Sequence, residues 1–157
     1  RVGAYPEPHP DSNGADADVA WLKRKLDAGA TSAMTQFFFE PETFFRFRDK
    51  CAAAGIEAPI IPGILPIQGW AGARRFAAAC GTSVPGRVEA AFDKAVAEGP
   101  EAERRLATDL CIDLCGKLIE GGVDRLHFYT LNRPEMTLDV CAALGIRPEG
   151  NGLEAVA

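Results

Sequence analysis

The chain has 157 residues, 47% of them apolar and 25% charged, which is enough for one ordinary core and too few for two. Its net charge of −5 excludes a general affinity for nucleic acid or anionic membrane, so any basic site must be local. No apolar stretch approaches the ~20 residues of a membrane span, and a membrane partner is not expected.

In chain order, Arg1-Val2-Gly3-Ala4-Tyr5 reads as a strand, and a chain that opens on strand residues reads as a piece of a longer protein. Residues 6–14 form a loop of prolines and polar residues. The spacing of Val19, Leu22 and Leu26 predicts a helix over residues 16–28, stopped by Gly29. Residues 31–39 predict a buried strand, whose apolar run is interrupted near its carboxyl end by one amide, Gln36. A neutral amide is costly to bury without a hydrogen-bond partner, so Gln36 either bonds neighbouring backbone or meets a ligand. Residues 41–54 follow as a helix, with Pro41 suited to its first position and Phe44, Phe47 and Cys51 on one face, ended by Gly55.

Residues 58–65 predict a third strand, irregular because Pro59 and Pro62 lack an amide donor. A helix is expected over residues 69–79. Two more, over residues 85–98 and 100–120, form an insertion that ends at Gly121-Gly122. Residues 125–131 predict a fourth strand and residues 134–144 a last helix. Residues 1–145 therefore read as one domain and residues 146–157 as a frayed polar tail.

The five cysteines are odd in number and lie on helix-like segments, which argues against a secreted disulfide framework and makes the cytoplasm the expected compartment. Cys111 and Cys115 share a helix face, but Leu110, Leu114 and Leu118 surround them with core residues. Buried free thiols are expected there, and no metal site.

Strands separated by helices mean a parallel sheet with right-handed crossovers, either a small doubly wound sheet or part of a (β/α)8 barrel. In both, ligands gather just beyond the carboxyl ends of strands. The residues at those places are Tyr5, His9, Asp11 and Ser12 after the first strand, Gln36 in the second, Pro62-Gly63-Ile64-Leu65-Pro66 in the third, and the segment from His127 to Arg133 in the fourth.

Taken together, Tyr5-Pro6-Glu7-Pro8-His9-Pro10, the stretch from Leu22 to Gly29, Thr35-Gln36-Phe37-Phe38-Phe39, Ile61-Pro62-Gly63-Ile64-Leu65-Pro66 and His127-Phe128-Tyr129-Thr130-Leu131-Asn132-Arg133 resemble the methylenetetrahydrofolate reductase family in order and spacing. The resemblance implies a (β/α)8 TIM barrel of which this chain is roughly the second half, strands five to eight. It implies FAD across the carboxyl ends of the strands, and a hydride passed from NAD(P)H through the flavin to 5,10-methylenetetrahydrofolate. Tyr5, His9, Asp11, Ser12, Asp18, Arg24, Lys25 and Tyr129 match flavin-site positions. Gln36, Phe76 and Arg133 match positions that meet the folate, with Phe76 stacking on folate or nicotinamide. On the residues alone, Arg24 and Lys25 also suit a solvated helix face, and Arg133 also suits a pair with Glu135 or Asp139.

The family's catalytic acids match nothing in this chain. Trp21 stands where the family commonly has asparagine near the flavin, and Gly72 where a polar residue often reaches substrate. The expected whole is a cytoplasmic flavoprotein, a homo-oligomer with folate and nicotinamide partners, and the piece alone is expected to be nearly inactive. Two alternatives stay open: a non-catalytic barrel fragment that self-associates through open sheet edges, and an autonomous doubly wound domain for a phosphate ligand. Strand order separates them, since only the doubly wound domain reverses direction across its sheet.

Overall fold

A computed structural model describes residues 1–147. Its elements, in chain order, are β1 (Val2–Ala4), α1 (Ala15–Asp27), β2 (Ala33–Phe37), α2 (Pro41–Ala53), β3 (Ile60–Ile64), α3 (Trp70–Cys80), α4 (Gly86–Glu98), α5 (Pro100–Glu120), β4 (His127–Phe128) and α6 (Glu135–Ala143). The four strands pair in parallel in the order β1-β2-β3-β4, so the sheet has no reversal. The doubly wound alternative is corrected by that order, because a switch point needs strands laid down in both directions from the first.

Proline placement fixes two helix starts. Pro41 and Pro100 stand at the beginnings of α2 and α5, where a missing amide hydrogen costs nothing. Gly81, at φ 67°, closes α3 in the left-handed conformation that a glycine adopts without strain.

The strands are shorter than their apolar runs. β4, expected over residues 125–131, pairs only through His127 and Phe128. Tyr129 still donates its amide to the Ile64 carbonyl at 2.8 Å. Leu131 and Asn132 then take φ of 50° and 62°, and the chain turns off the sheet. β2 and β3 shift register between Met34 and Phe37, which bends the pair near its carboxyl end.

Two larger clusters of buried residues and a small one, Phe37, Leu65 and Ala77, pack against the sheet. Under β1 and β2, Val19 and Leu22 of α1 meet Ala4, Ala33 and the α2 residues Phe47 and Cys51. Beyond β2, Phe38, Phe44 and Ile64 join Trp70, Phe92, Cys111, Cys115, Leu118, Met136 and Val140 in a larger cluster that α3–α6 share. The expected buried thiols at Cys111 and Cys115 are found there, and no group of residues able to hold a metal occurs among the described residues.

Candidate functional site

Because all four strands run the same way, the segments leaving them meet at one end of the sheet, where two clefts hold most of the matched residues and a third, of about 450 Å³, adjoins the second at Gln68 and Arg133. The first, about 290 Å³, lies between the end of β1 and the start of α1. It gathers Tyr5, His9, Asp11, Ser12, Asp18 and Lys25, six of the eight residues matched to the flavin site, together with Trp21 and Asn13.

Its wall is built by local hydrogen bonds. The His9 amide donates to the Asp18 carboxylate at 2.9 Å, tying the loop to α1. The Asp11 amide donates to His9 Nδ1 at 3.1 Å, and the Ser12 amide to the His9 carbonyl at 2.9 Å. With Nδ1 accepting, the neutral imidazole carries its proton on Nε2, which is left as a donor. The His9 ring meets Tyr5 edge-on at 4.5 Å. Lys25 Nζ donates to the Gly3 carbonyl at 3.2 Å and stays exposed, a cation held at the rim.

The same loop reaches across the sheet end. Glu7 accepts the Ser83 amide at 3.0 Å, and Pro10 lies against Gly81, so closely that a Cβ added there would stand 2.7 Å from the proline ring. The loop is therefore anchored to α1 on one side and to the segment after α3 on the other.

The second cleft, about 410 Å³, is bounded by Leu65, Pro66 and Ile67 after β3, Gly72 and Phe76 of α3, and Leu131 and Arg133 after β4. Phe76 is 40% exposed and stacks one face on Phe37 at 5.2 Å, leaving the other face open. Arg133 is exposed and pairs with neither Glu135 nor Asp139 among the described residues; Asp139 meets Arg104 at 3.4 Å instead.

Three matched residues line neither cleft. The Arg24 guanidinium sits over the Trp21 ring at 5.2 Å. Gln36 is half-buried, and its Oε1 accepts the amide of its neighbour Phe37 at 3.1 Å, the backbone bond that its residue type allowed. Tyr129 spans the sheet, donating its hydroxyl to the Thr35 carbonyl at 2.9 Å. Its ring covers Gly63, where an added Cβ would lie 2.6 Å from the ring and would collide with the Thr35 carbonyl. Burial first, then Tyr5 and Cys80, raises the Tyr129 phenol above its ordinary value, so it remains a donor. His127 of β4 packs edge-on against this ring at 4.8 Å.

Sequence reasoning assigned no role to Trp21, which lines the first cleft at 59% exposure. The readable signal was a large aromatic three residues before an arginine on an otherwise polar helix face.

A four-stranded parallel sheet in sequential order, with helices between the strands and clefts at their carboxyl ends, is an α/β fold consistent with the barrel class. A solved structure described as an uncharacterized protein from Clostridium thermocellum that binds two copies of 5-methyl-5,6,7,8-tetrahydrofolic acid shares this fold. It superposes with a TM-score of 0.59 over 92% of this chain and 51% of that one, at 17% identity. The sequence profile of methylenetetrahydrofolate reductase matches residues 1–145, and the chain belongs to that family. It is 44% identical to the 5,10-methylenetetrahydrofolate reductase of Escherichia coli (strain K12) over 94% of its length and 49% of the relative's. It is 37% identical to methylenetetrahydrofolate reductase (NADH) 1 of Zea mays, over 94% of this chain and 26% of that one. The chain thus spans about half the length of the bacterial relative and a quarter of the plant one. Among the described residues, no helix is long and apolar enough to cross a membrane.

Proposed function

We propose that this chain forms the carboxyl-terminal half of the flavin and folate site of a methylenetetrahydrofolate reductase, strands five to eight of its barrel. The observation that carries the reading is the pair of clefts at one sheet end, one polar with a rim cation, the other apolar with an unpaired arginine. FAD, when bound, supplies the hydride relay between NAD(P)H and 5,10-methylenetetrahydrofolate. The first cleft suits part of such a dinucleotide: Lys25 offers charge to a pyrophosphate, and His9 Nε2 and Ser12 offer hydrogen bonds. Asp18 holds the loop that presents them.

On the folate side, the free face of Phe76 stacks a planar ring and Arg133 pairs with a carboxylate. Gln36 keeps its amide nitrogen for a pterin edge while its oxygen is engaged locally. The ligand named for the Clostridium thermocellum protein, 5-methyltetrahydrofolic acid, is the product of this reaction, which supports a folate reading of the shared fold. The family's catalytic acids find no match in this sequence, so the chain by itself is expected to bind and not to turn over.

The visible spectrum after mixing with FAD and desalting tests this. Retained flavin absorbance with negligible NAD(P)H-dependent methyltetrahydrofolate formation is the expected result. Flavin that passes through entirely, or steady turnover by the isolated chain, overturns the reading.

The outer sides of β1 and β4 have no strand partner among the described residues, which favours association of this piece through its edges. Sedimentation is expected to show a concentration-dependent oligomer; a sharp monomer at high concentration counts against it.

A further inference from the structure

Trp21 is the one large aromatic that the first cleft exposes on its helix side, and nothing in the core needs it: 59% of the residue is open. Its neighbour Arg24 places a guanidinium over the ring at 5.2 Å, close enough for a cation–π attraction that holds the indole in one attitude. A guanidinium covers one face of an indole and leaves the second for another planar group.

Which planar group follows from the layout. Hydride transfer needs the isoalloxazine beside the folate, hence toward Gln36 and Phe76. The other end of the dinucleotide must then lie at the first cleft, where Lys25 marks a place for phosphate. We infer that Trp21 is the stacking platform for the adenine of the cofactor, with Arg24 as the positioning residue that holds the indole from behind. This rests on the flavin reading above and adds to it a residue that selects for the base end of the cofactor.

Two properties make the test direct. The chain has two tryptophans, and Trp70 is buried against Phe92, so only Trp21 can touch a ligand in the first cleft. ADP carries the adenine and diphosphate without the flavin, and it absorbs at wavelengths too short to accept tryptophan emission. Quenching by ADP therefore reports contact.

Wild type, Trp21→Ala and Trp21→Phe are titrated with ADP, FMN and FAD by equilibrium dialysis, with tryptophan emission followed for ADP. ADP is expected to quench the wild type and to leave the emission of Trp21→Phe unchanged. Trp21→Ala is expected to bind ADP and FAD at least about fivefold more weakly, the loss of one base–aromatic stack. Trp21→Phe recovers most of that binding, and FMN binds all three proteins alike. Trp21→Ala binding ADP and FAD as tightly as wild type, a loss confined to FMN, or equal quenching in Trp21→Phe overturns the assignment. Wild type that binds neither FAD nor ADP removes the flavin reading itself, and this inference with it.

Discussion

The two tryptophans mark the two halves of the molecule. Trp70, 3% exposed, stacks on Phe92 at 4.4 Å, and its backbone amide donates to Glu103 at 2.6 Å, so α3, α4 and α5 lock together beneath the second cleft. Trp21 stands over a smaller cluster in which α1 and α2 cover β1, β2 and the start of β3 at Ile60. α4 and α5 contribute Val88, Phe92, Ala107, Cys111, Leu114, Cys115 and Leu118 to the larger cluster and nothing to the one under β1. One cleft therefore rests on a deep core, and the other takes its shape from a hydrogen-bonded loop. Packing sets the first kind of site and polar geometry the second.

The strongest way to break the comparison is truncation. Phe92→Ala, in the deep core, is expected to cost about 3–5 kcal/mol in urea unfolding, whereas Leu22→Ala, in the smaller cluster, costs about 2–3 kcal/mol. Equal losses would show that the insertion adds no depth of packing. Gly63→Ala comes next, at about 2–3 kcal/mol, because a Cβ there meets the backbone carbonyl of Thr35, which cannot swing aside. A thermal midpoint unchanged from wild type would refute that.

Cys51 allows a pH-tuned version in the smaller cluster. Burial pushes its thiol from an ordinary 9.0 up to about 11. A raised folded value stabilises the protein fully below pH 9, and that contribution is lost as pH rises through about 11. Cys51→Ala should flatten the fall in unfolding free energy across that window, and an unaltered slope would assign the alkaline loss to the other buried thiols and Tyr129. The smallest effect is expected for Tyr129→Phe, which removes one hydroxyl donor from the Thr35 carbonyl at a cost of about 1 kcal/mol. If Tyr129→Phe instead abolishes flavin retention with little change in stability, Tyr129 belongs to the cofactor wall as well as to the sheet.

Much of this was readable in the residues. Prolines at the starts of α2 and α5 and glycines after several helices placed the elements, since those residues act through their own backbone. Four residues of the first cleft, Tyr5, His9, Asp11 and Ser12, were readable because they follow one strand, while Asp18 and Lys25, the latter in the last turn of α1, entered only through the family resemblance. What sequence hid depends on partners far along the chain. The shortness of β4 comes from two left-handed residues that no glycine announces. The strap from Tyr129 to Thr35 spans 94 positions, and the register shift that lets Gly63 lie beneath it comes from strand pairing. Arg24 read as a flavin-site residue or a solvated cation, and the third possibility, a neighbouring indole, needed the side-chain direction.

The loop between β1 and α1 carries three prolines within residues 6–10 and is fastened at Asp18, Ser83 and Gly81. Its consequence concerns when order is gained. A wall fastened at three points is ordered during folding, so the cofactor proposed for the first cleft would not meet that ordering cost when it binds.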